Sequence, residues 1–150
     1  IMIRPLQPSD IANIMQLHRE LGWNPAFMAD GSTLKQRLEA LITGENALLL
    51  VAELNGKVVG YIHGEIVTYL LFAGREMLVS ELFVMESARG RGVGKALLSA
   101  IESEAVTQKC FRISVLNSRE RESYKRGFYP SLGYEERSHT ANFTKRLDWG

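Results

Sequence analysis

A basic, glycine-rich segment at residues 89–95, with the sequence RGRGVGK, holds the residue types best suited to binding a phosphate group. It lies between an apolar, strand-like run and a helical pattern, so it forms the turn that precedes a helix. Helix N-termini carry free amides and a partial positive charge, and both attract anions. The glycines let the main chain approach a ligand closely, and the basic side chains add charge. The segment therefore predicts an anion site, although a glycine-rich turn without a ligand is the alternative.

The residues around this turn exclude two common nucleotide sites. A nucleotide P-loop would need Gly at the position of Arg89 and Ser or Thr at the position of Ala96. The dinucleotide fingerprint would need Gly at the position of Lys95 and a parallel sheet before the turn. Neither pattern is present, so the predicted phosphate belongs to another type of ligand.

Other reactive residues are sparse. A single cysteine, Cys110, excludes an internal disulfide and a thiolate zinc cage. The histidines His18, His63 and His139 lack the spacing of metal ligands, so we expect no metal. No serine occupies a nucleophile elbow, and a hydrolase is therefore not indicated.

Composition limits the remaining function classes. The chain has 150 residues, of which 45% are hydrophobic and 23% charged, and this favours a single globular domain over residues 1–150. The net charge of +1 gives no bulk attraction to nucleic acid or to a membrane surface, and we expect neither as a partner. No apolar run approaches the roughly 18 residues of a membrane span. We expect a cytoplasmic protein.

The hydrophobic periodicity predicts an α/β fold with a mixed sheet. Asn55 and Gly56 separate two β-rich runs and predict a hairpin. The run after the glycine-rich turn predicts a helix and then a parallel strand, in a right-handed crossover. The predicted strands are 2–6, 47–54, 57–71, 77–85, 111–116 and 134–147, the last of them a strand or hairpin. The predicted helices run from Ser9 or Asp10 to Gly22, over 33–42, from 93 to about 109, and over 120–132.

Two motifs in this order of elements resemble a known superfamily. Arg89, Gly92 and Gly94 follow the strand segment SELFV with the spacing Arg-x-x-Gly-x-Gly, and residues 128–134 read FYPSLGY. The chain is similar to the GNAT superfamily of N-acetyltransferases, in which the first motif binds the pyrophosphate of acetyl-CoA. The segment 81–145 looks most like small amine acetyltransferases of the aminoalkylphosphonate type.

This resemblance implies a fold and a reaction. The fold is a mixed, mostly antiparallel sheet of about six or seven strands with about four helices, splayed at the cofactor-binding strand. The reaction transfers the acetyl group of acetyl-CoA to a primary amine of a small molecule, by direct attack in a ternary complex. Alternatives are an acyl-CoA-binding sensor without turnover and a peptide or protein N-acetyltransferase. Relatives often pair through their last strands, so a homodimer is also expected.

The resemblance also implies catalytic residues. Tyr129 occupies the position of the general acid that protonates the leaving thiolate, and a phenol is suitable because it stays protonated at neutral pH. Glu81 is the first candidate for the base, since burial in an apolar strand would raise its pKa. Glu65, Glu76 and water remain alternatives for the base.

The remaining assignments concern binding. A bulge expected at residues 82–84 would expose the main chain of this strand to pantetheine, with an N–H near Val84 polarising the thioester carbonyl. The acceptor amine would lie against Trp23, Phe27 and Tyr69. The predicted cofactor contacts are Leu82, Phe83, Val84, Arg89, Gly90, Arg91, Gly92, Val93, Gly94 and Lys95.

Overall fold

Five strands and five helices follow one another in a computed structural model that describes residues 1–148. The described residues form two units, and the second begins at Asn117. The strands are β1 Met2–Pro5, β2 Ala47–Leu54, β3 Lys57–Val67, β4 Arg75–Val84 and β5 Cys110–Val115. The helices are α1 Ile11–Leu21, α2 Gly31–Thr43, α3 Val93–Thr107, α4 Glu122–Lys125 and α5 Phe128–Ser131.

The sheet of the first unit has the strand order β1-β2-β3-β4-β5. Adjacent strands of this sheet are antiparallel, except that β4 and β5 are parallel and are joined through α3. The predicted hairpin between β2 and β3 is confirmed: Asn55 and Gly56 have φ angles of 54° and 77°, as a tight turn with left-handed residues requires. The predicted crossover from β4 through α3 to β5 is confirmed as well.

The two faces of β3 contact different helices, because successive strand residues point in opposite directions. A Cβ atom on Gly60 would lie 3.3 Å from Val93 Cγ1, and one on Gly64 would lie 2.8 Å from Ile101 Cδ1, so this face packs on α3. Tyr61 lies between these two glycines in sequence, and its side chain points to the opposite face, where it contacts His18 of α1. Helix α2 packs against α1 and β2. The sheet is thus enclosed between α3 and the pair α1 and α2.

The core lies mainly between α3 and the sheet. Apolar side chains recur on α3 at helical spacing and are buried, so the packing of this face on the sheet stabilises the unit. Ile62, which alternates with Gly60 and Gly64 on the same face of β3, is equally inaccessible. Val51, which is paired with Tyr61, is buried on the opposite face of the sheet. The buried residues of α3 are Val93, Leu97, Leu98, Ile101 and Ala105.

Several predicted boundaries are wrong. The described residues contain five strands rather than six or seven, and none lies in the predicted strand 134–147. Strand β3 ends at Val67, so residues 68–71 belong to the connection that follows. The predicted helix 120–132 is two short helices, because Gly127 adopts a left-handed φ of 67° and ends the first of them.

The second unit contains α4, α5 and an irregular segment from Leu132 to Asp148. Its side chains are tied by polar contacts: Tyr124 donates a hydrogen bond to Glu136 at 2.7 Å, and Arg119 forms an ion pair with the same carboxylate at 3.1 Å. In the described part of the chain the longest helix is α3, with 15 residues, which falls short of a bilayer-spanning apolar helix.

Candidate functional site

The glycine-rich turn leads into α3 with its amides uncapped. Gly90 and Gly92 have left-handed φ angles of 78° and 79°, which explains why glycine occupies both positions. Gly92 is the N-cap and no side chain caps this end of the helix. The first intrahelical bond is donated by Ala96 to the Gly92 carbonyl at 3.0 Å, so the amides of residues 93–95 remain available to an anion.

The turn is also accessible. A Cβ atom on Gly90 or on Gly92 would meet nothing within 4 Å, and the side chains of Arg91 and Lys95 are exposed. Arg89 is exposed too, but its Nε donates a hydrogen bond to the Val84 carbonyl at 3.3 Å and so links the turn to the end of β4. The Val93 side chain is 1% exposed and packs in the core, so this residue can contribute only its amide.

The end of β4 has one free edge within the first unit. Pairing with β5 covers residues 75–79, whereas residues 81–84 are in register with β3 alone. Met85 donates its amide to the Val59 carbonyl of β3 at 2.7 Å, and backbone groups alternate in direction along a strand. Val84 therefore directs its own amide and carbonyl toward the edge that β5 no longer covers. This geometry matches the splay expected at the cofactor-binding strand.

The bulge in β4 lies upstream of its predicted position at residues 82–84. His63 is paired with Glu81 and Gly64 with Val79, so Ser80 is the additional residue. The Ser80 hydroxyl donates to the His63 carbonyl at 3.2 Å, which ties the bulge to β3. The predicted position was wrong because the residue type gives no sign of where the register shifts.

Glu81 is the centre of a polar network on the face of the sheet that contacts α1. Its Oε1 accepts a short hydrogen bond from the Tyr61 hydroxyl, and its Oε2 lies 4.0 Å from His63 Nδ1. His18 Nε2 is 2.8 Å from the same hydroxyl. On the other side, His63 Nε2 is 2.8 Å from Glu65 Oε1. Three secondary-structure elements therefore place five polar side chains in one connected group.

The electrostatics of Glu81 differ from the prediction. The neighbouring His63 imidazole, together with the hydrogen bond from Tyr61, holds the pKa of the Glu81 carboxyl below its ordinary value, although desolvation acts in the opposite direction. The expectation of a raised pKa is wrong because the side chain is 42% exposed and faces hydrogen-bond donors. At neutral pH the carboxylate is ionised.

The two histidines of the network respond in opposite ways. Burial is the largest influence on the His63 pKa and lowers it, but the nearby carboxylates of Glu81 and Glu65 together outweigh burial and raise the pKa overall. Burial lowers the pKa of His18, and the more distant charge of Glu81 compensates only in part. The protonated form of His63 is thus more favourable than in a free imidazole, whereas the lowered pKa of His18 favours its neutral form.

Glu76, one of the alternative candidates for the base, has its carboxylate held by hydrogen bonds within the fold. It is 5% exposed, and its carboxylate accepts hydrogen bonds from Tyr69 at 2.6 Å, from Ser114 at 2.8 Å and from Arg112. These donors hold its pKa below the ordinary value against the opposing effect of burial, which is the largest single influence. The carboxylate joins β4 to β5, and its oxygens are occupied by these donors.

The residues predicted to bind the acceptor are divided between two regions. Trp23 and Phe27 lie in the connection between α1 and α2 and are 60% and 46% exposed. Trp23 lines a cavity of about 450 Å³, whereas Phe27 is not among its lining residues. Tyr69 follows β3, where its hydroxyl is bonded to Glu76 and its ring packs 5.3 Å from that of Phe72.

Tyr129 lies in the second unit, in α5. Its ring centroid is 4.9 Å from that of Phe128 and 5.8 Å from that of Tyr134. Burial raises the pKa of its hydroxyl, so the phenol stays protonated at neutral pH. This is the protonation state that a proton donor requires.

The sequence analysis missed the roles of Tyr61, His63 and His18 in the network. Tyr61, His63 and Glu65 alternate with apolar or small residues along β3, and this alternation was a signal that they share one face. The pairing of His63 with Glu81 depends on the bulge at Ser80, and the contact with His18 depends on the docking of α1. Neither could be read from local sequence.

Comparison with known proteins gives a consistent result. Residues 10–134 match the model of the Acetyltransferase (GNAT) family. A protein of Agrobacterium tumefaciens strain C58 proposed to be an acetyltransferase is similar in structure with a TM-score of 0.83 and 23% identity, over 98% of this chain and 100% of that one. Glucosamine-6-phosphate N-acetyltransferase from Arabidopsis thaliana has a TM-score of 0.80 and 20% identity, over 98% of each chain. An aminoglycoside acetyltransferase from an uncultured soil metagenomic sample, solved with sisomicin, has a TM-score of 0.77 and 19% identity, over 98% of this chain and 96% of that one.

Proposed function

The chain belongs to the acetyltransferase (GNAT) family, and we propose that it transfers the acetyl group of acetyl-CoA to a primary amine of a small molecule. The observation that carries this proposal is the exposed, uncapped N-terminus of α3 beside the free edge of β4. A diphosphate would accept hydrogen bonds from the amides that open α3, and the side chains of Arg91 and Lys95 would add charge. The pantetheine arm would pair with main-chain groups at residues 82–84, where the Val84 amide would polarise the thioester carbonyl.

The chemistry requires a nucleophilic amine and a stabilised leaving group. A free primary amine is mostly protonated at neutral pH, so it must lose a proton before it attacks the thioester. We assign Tyr129 as the proton donor to the departing thiolate. We assign Glu81 to the polar network that removes the proton from the amine. Holding both substrates in one complex supplies much of the rate enhancement, because the reaction then needs no encounter between them.

A small acceptor is supported by the cavity beside α1. Its volume of about 450 Å³ lies in the range of small-molecule sites, and the bulky Trp23 in its lining favours a small acceptor over an extended peptide. The fold is shared with proteins named as glucosamine-6-phosphate and aminoglycoside acetyltransferases, which gives small amines a precedent on this scaffold. Cytoplasmic location, homodimer formation and the lack of a nucleic-acid or membrane partner remain parts of the proposal.

The proposal is tested by two measurements on the full chain. Calorimetry with coenzyme A measures binding, and release of free thiol from acetyl-CoA measures turnover with polyamines, aminoglycosides, aminoalkylphosphonates, amino acids and peptides. Turnover with a small amine is expected. Binding without turnover of any amine would support the sensor alternative, turnover of peptides alone would support a peptide acetyltransferase, and the absence of binding would refute the proposal.

Tyr129→Phe tests the assignment of the acid. We expect kcat to fall by about 100-fold, as loss of a general acid does, with coenzyme A affinity unchanged. Tyr124→Phe is the matched control, because it removes a phenol of the same unit that only donates to Glu136. Full activity in Tyr129→Phe would contradict the assignment, and so would an equal loss in both variants.

A further inference from the structure

The hydroxyl of Tyr61 lies between two partners and so fixes the proton positions around it. Tyr61 is 3% exposed, with His18 Nε2 at 2.8 Å on one side and Glu81 Oε1 on the other. A phenol has one hydrogen, and an ionised carboxylate can only accept, so the phenol donates to Glu81. His18 Nε2 must then be the donor to the phenol oxygen. The neutral imidazole carries its hydrogen on Nε2, and Nδ1 is left as an acceptor.

His18 also lines the cavity of about 450 Å³. The lining is otherwise apolar, apart from Arg19, and it contains no carboxylate. Within the lining, the imidazole is therefore the side chain that can take a proton from a ligand at neutral pH. The lining residues are Met15, His18, Arg19, Gly22, Trp23, Pro25, Met28 and Ala29.

His18 is better suited than Glu81 to accept this proton. A general base is most effective when its pKa lies near the working pH. The Glu81 carboxyl has a lowered pKa and is held by Tyr61, with His63 nearby, so it is a weak base. Burial lowers the pKa of His18, so the imidazole is neutral at neutral pH and can accept a proton there.

Resting on the function proposed above, we propose that His18 is a catalytic residue that accepts the proton of the acceptor ammonium at Nδ1, and that Tyr61 and Glu81 are positioning residues for it. One N–H bond of the ammonium breaks and an N–H bond to Nδ1 forms, which leaves a neutral amine and an imidazolium. The amine lone pair then forms the C–N bond, the C–S bond breaks, and sulfur leaves as thiolate. Tyr129, assigned above as the acid, gives the thiolate its proton, and the second proton lost from nitrogen balances that one. The imidazolium releases the first proton to solvent, which restores neutral His18.

The network stabilises the imidazolium that this step creates. Its Nε2–H still donates to Tyr61, and Tyr61 still donates to the anionic Glu81, so the new charge faces a carboxylate through one phenol. The titratable and charged groups that face His18 are thus Tyr61 from β3, Glu81 from β4 and, along its own helix, Arg19. The charge of Glu81 favours the protonated form of His18.

His18→Gln is the decisive variant, because the glutamine amide can replace the Nε2–H donor to Tyr61 but cannot act as a base. We expect kcat to fall about 100-fold, while coenzyme A affinity and thermal unfolding stay unchanged. The acidic limb of the pH–rate profile should also be lost, because it reports the ionisation of the base. His139→Gln, at an exposed position, is the matched control and keeps full activity. Imidazole added to His18→Ala is expected to restore part of the rate.

The outcomes separate this inference from the proposed function. If the unchanged protein turns over amines and His18→Gln is equally active with the same pH profile, His18 is not the base, although the protein is still an amine acetyltransferase. If the unchanged protein acetylates no amine, the proposed function fails first. Nitrogen-15 NMR of the histidines gives a readout independent of activity: a hydrogen on Nε2 of His18 is expected, and one on Nδ1 would overturn the inference. Tyr61→Phe should lower kcat and increase the fraction of His18 with its hydrogen on Nδ1.

Discussion

Substitution of Gly92 by alanine isolates the contribution of the turn to coenzyme binding. At a left-handed φ of 79° an alanine costs about 1–2 kcal/mol, while its methyl group meets no protein atom within 4 Å. For a chain of this size each kcal/mol lowers the melting temperature by about 2–4 °C, so a fall of about 2–8 °C is expected. The methyl group would stand in open space on the N-cap residue that precedes the uncapped amides of α3, where we propose that the diphosphate binds.

The turn between β2 and β3 provides the control. Gly56 has a φ of 77° and its added Cβ would also meet nothing within 4 Å, so Gly56→Ala should cost the same stability. Thermal unfolding and calorimetry with coenzyme A are measured on both variants. We expect equal melting temperatures but a Kd at least about tenfold weaker in Gly92→Ala alone, which corresponds to about 1.4 kcal/mol. Equal coenzyme affinity in the two variants would refute the assignment of this turn to the diphosphate.

Two further predictions concern stability. Gly64→Ala places a methyl group 2.8 Å from both Ile101 Cδ1 and Met77 Sδ, so its free energy of unfolding in urea should fall by about 1–3 kcal/mol. Gly44→Ala, whose methyl group would have no contact under 3.5 Å, is the control and should show little change. A hydrogen bond from Arg4 holds the pKa of Asp10 below its ordinary 3.8, so the ionised carboxylate stabilises the fold above that pH and this stability is lost as pH falls through the lowered value. Asp10→Asn should therefore cost about 1–3 kcal/mol at pH 7 and reduce the difference in unfolding free energy between pH 7 and pH 3; an unchanged difference would contradict this reasoning.

Local signals predicted the framework of the first unit. The Asn55-Gly56 pair, the helical spacing on α3 and the glycine-rich turn each depend on a few adjacent residues, and all three are present in the structure as predicted. The residues after Leu116 were harder to predict. Gly127 and Pro130 interrupt a segment that is otherwise compatible with one helix, and whether it breaks depends on packing that periodicity does not report.

Glu81 shows most clearly why the site could not be derived from sequence. Strict alternation along β4 would put Glu81 on the same face as Met77 and Val79, which are buried against α3, and a carboxylate there would have a raised pKa. The extra residue at Ser80 reverses the alternation, because a shift of one residue exchanges the two faces of a strand. Glu81 is therefore turned toward His63 and Tyr61, and it can be ionised. The same bulge lies where pairing with β5 ends, so one irregularity both aims the carboxylate and begins the free edge of β4.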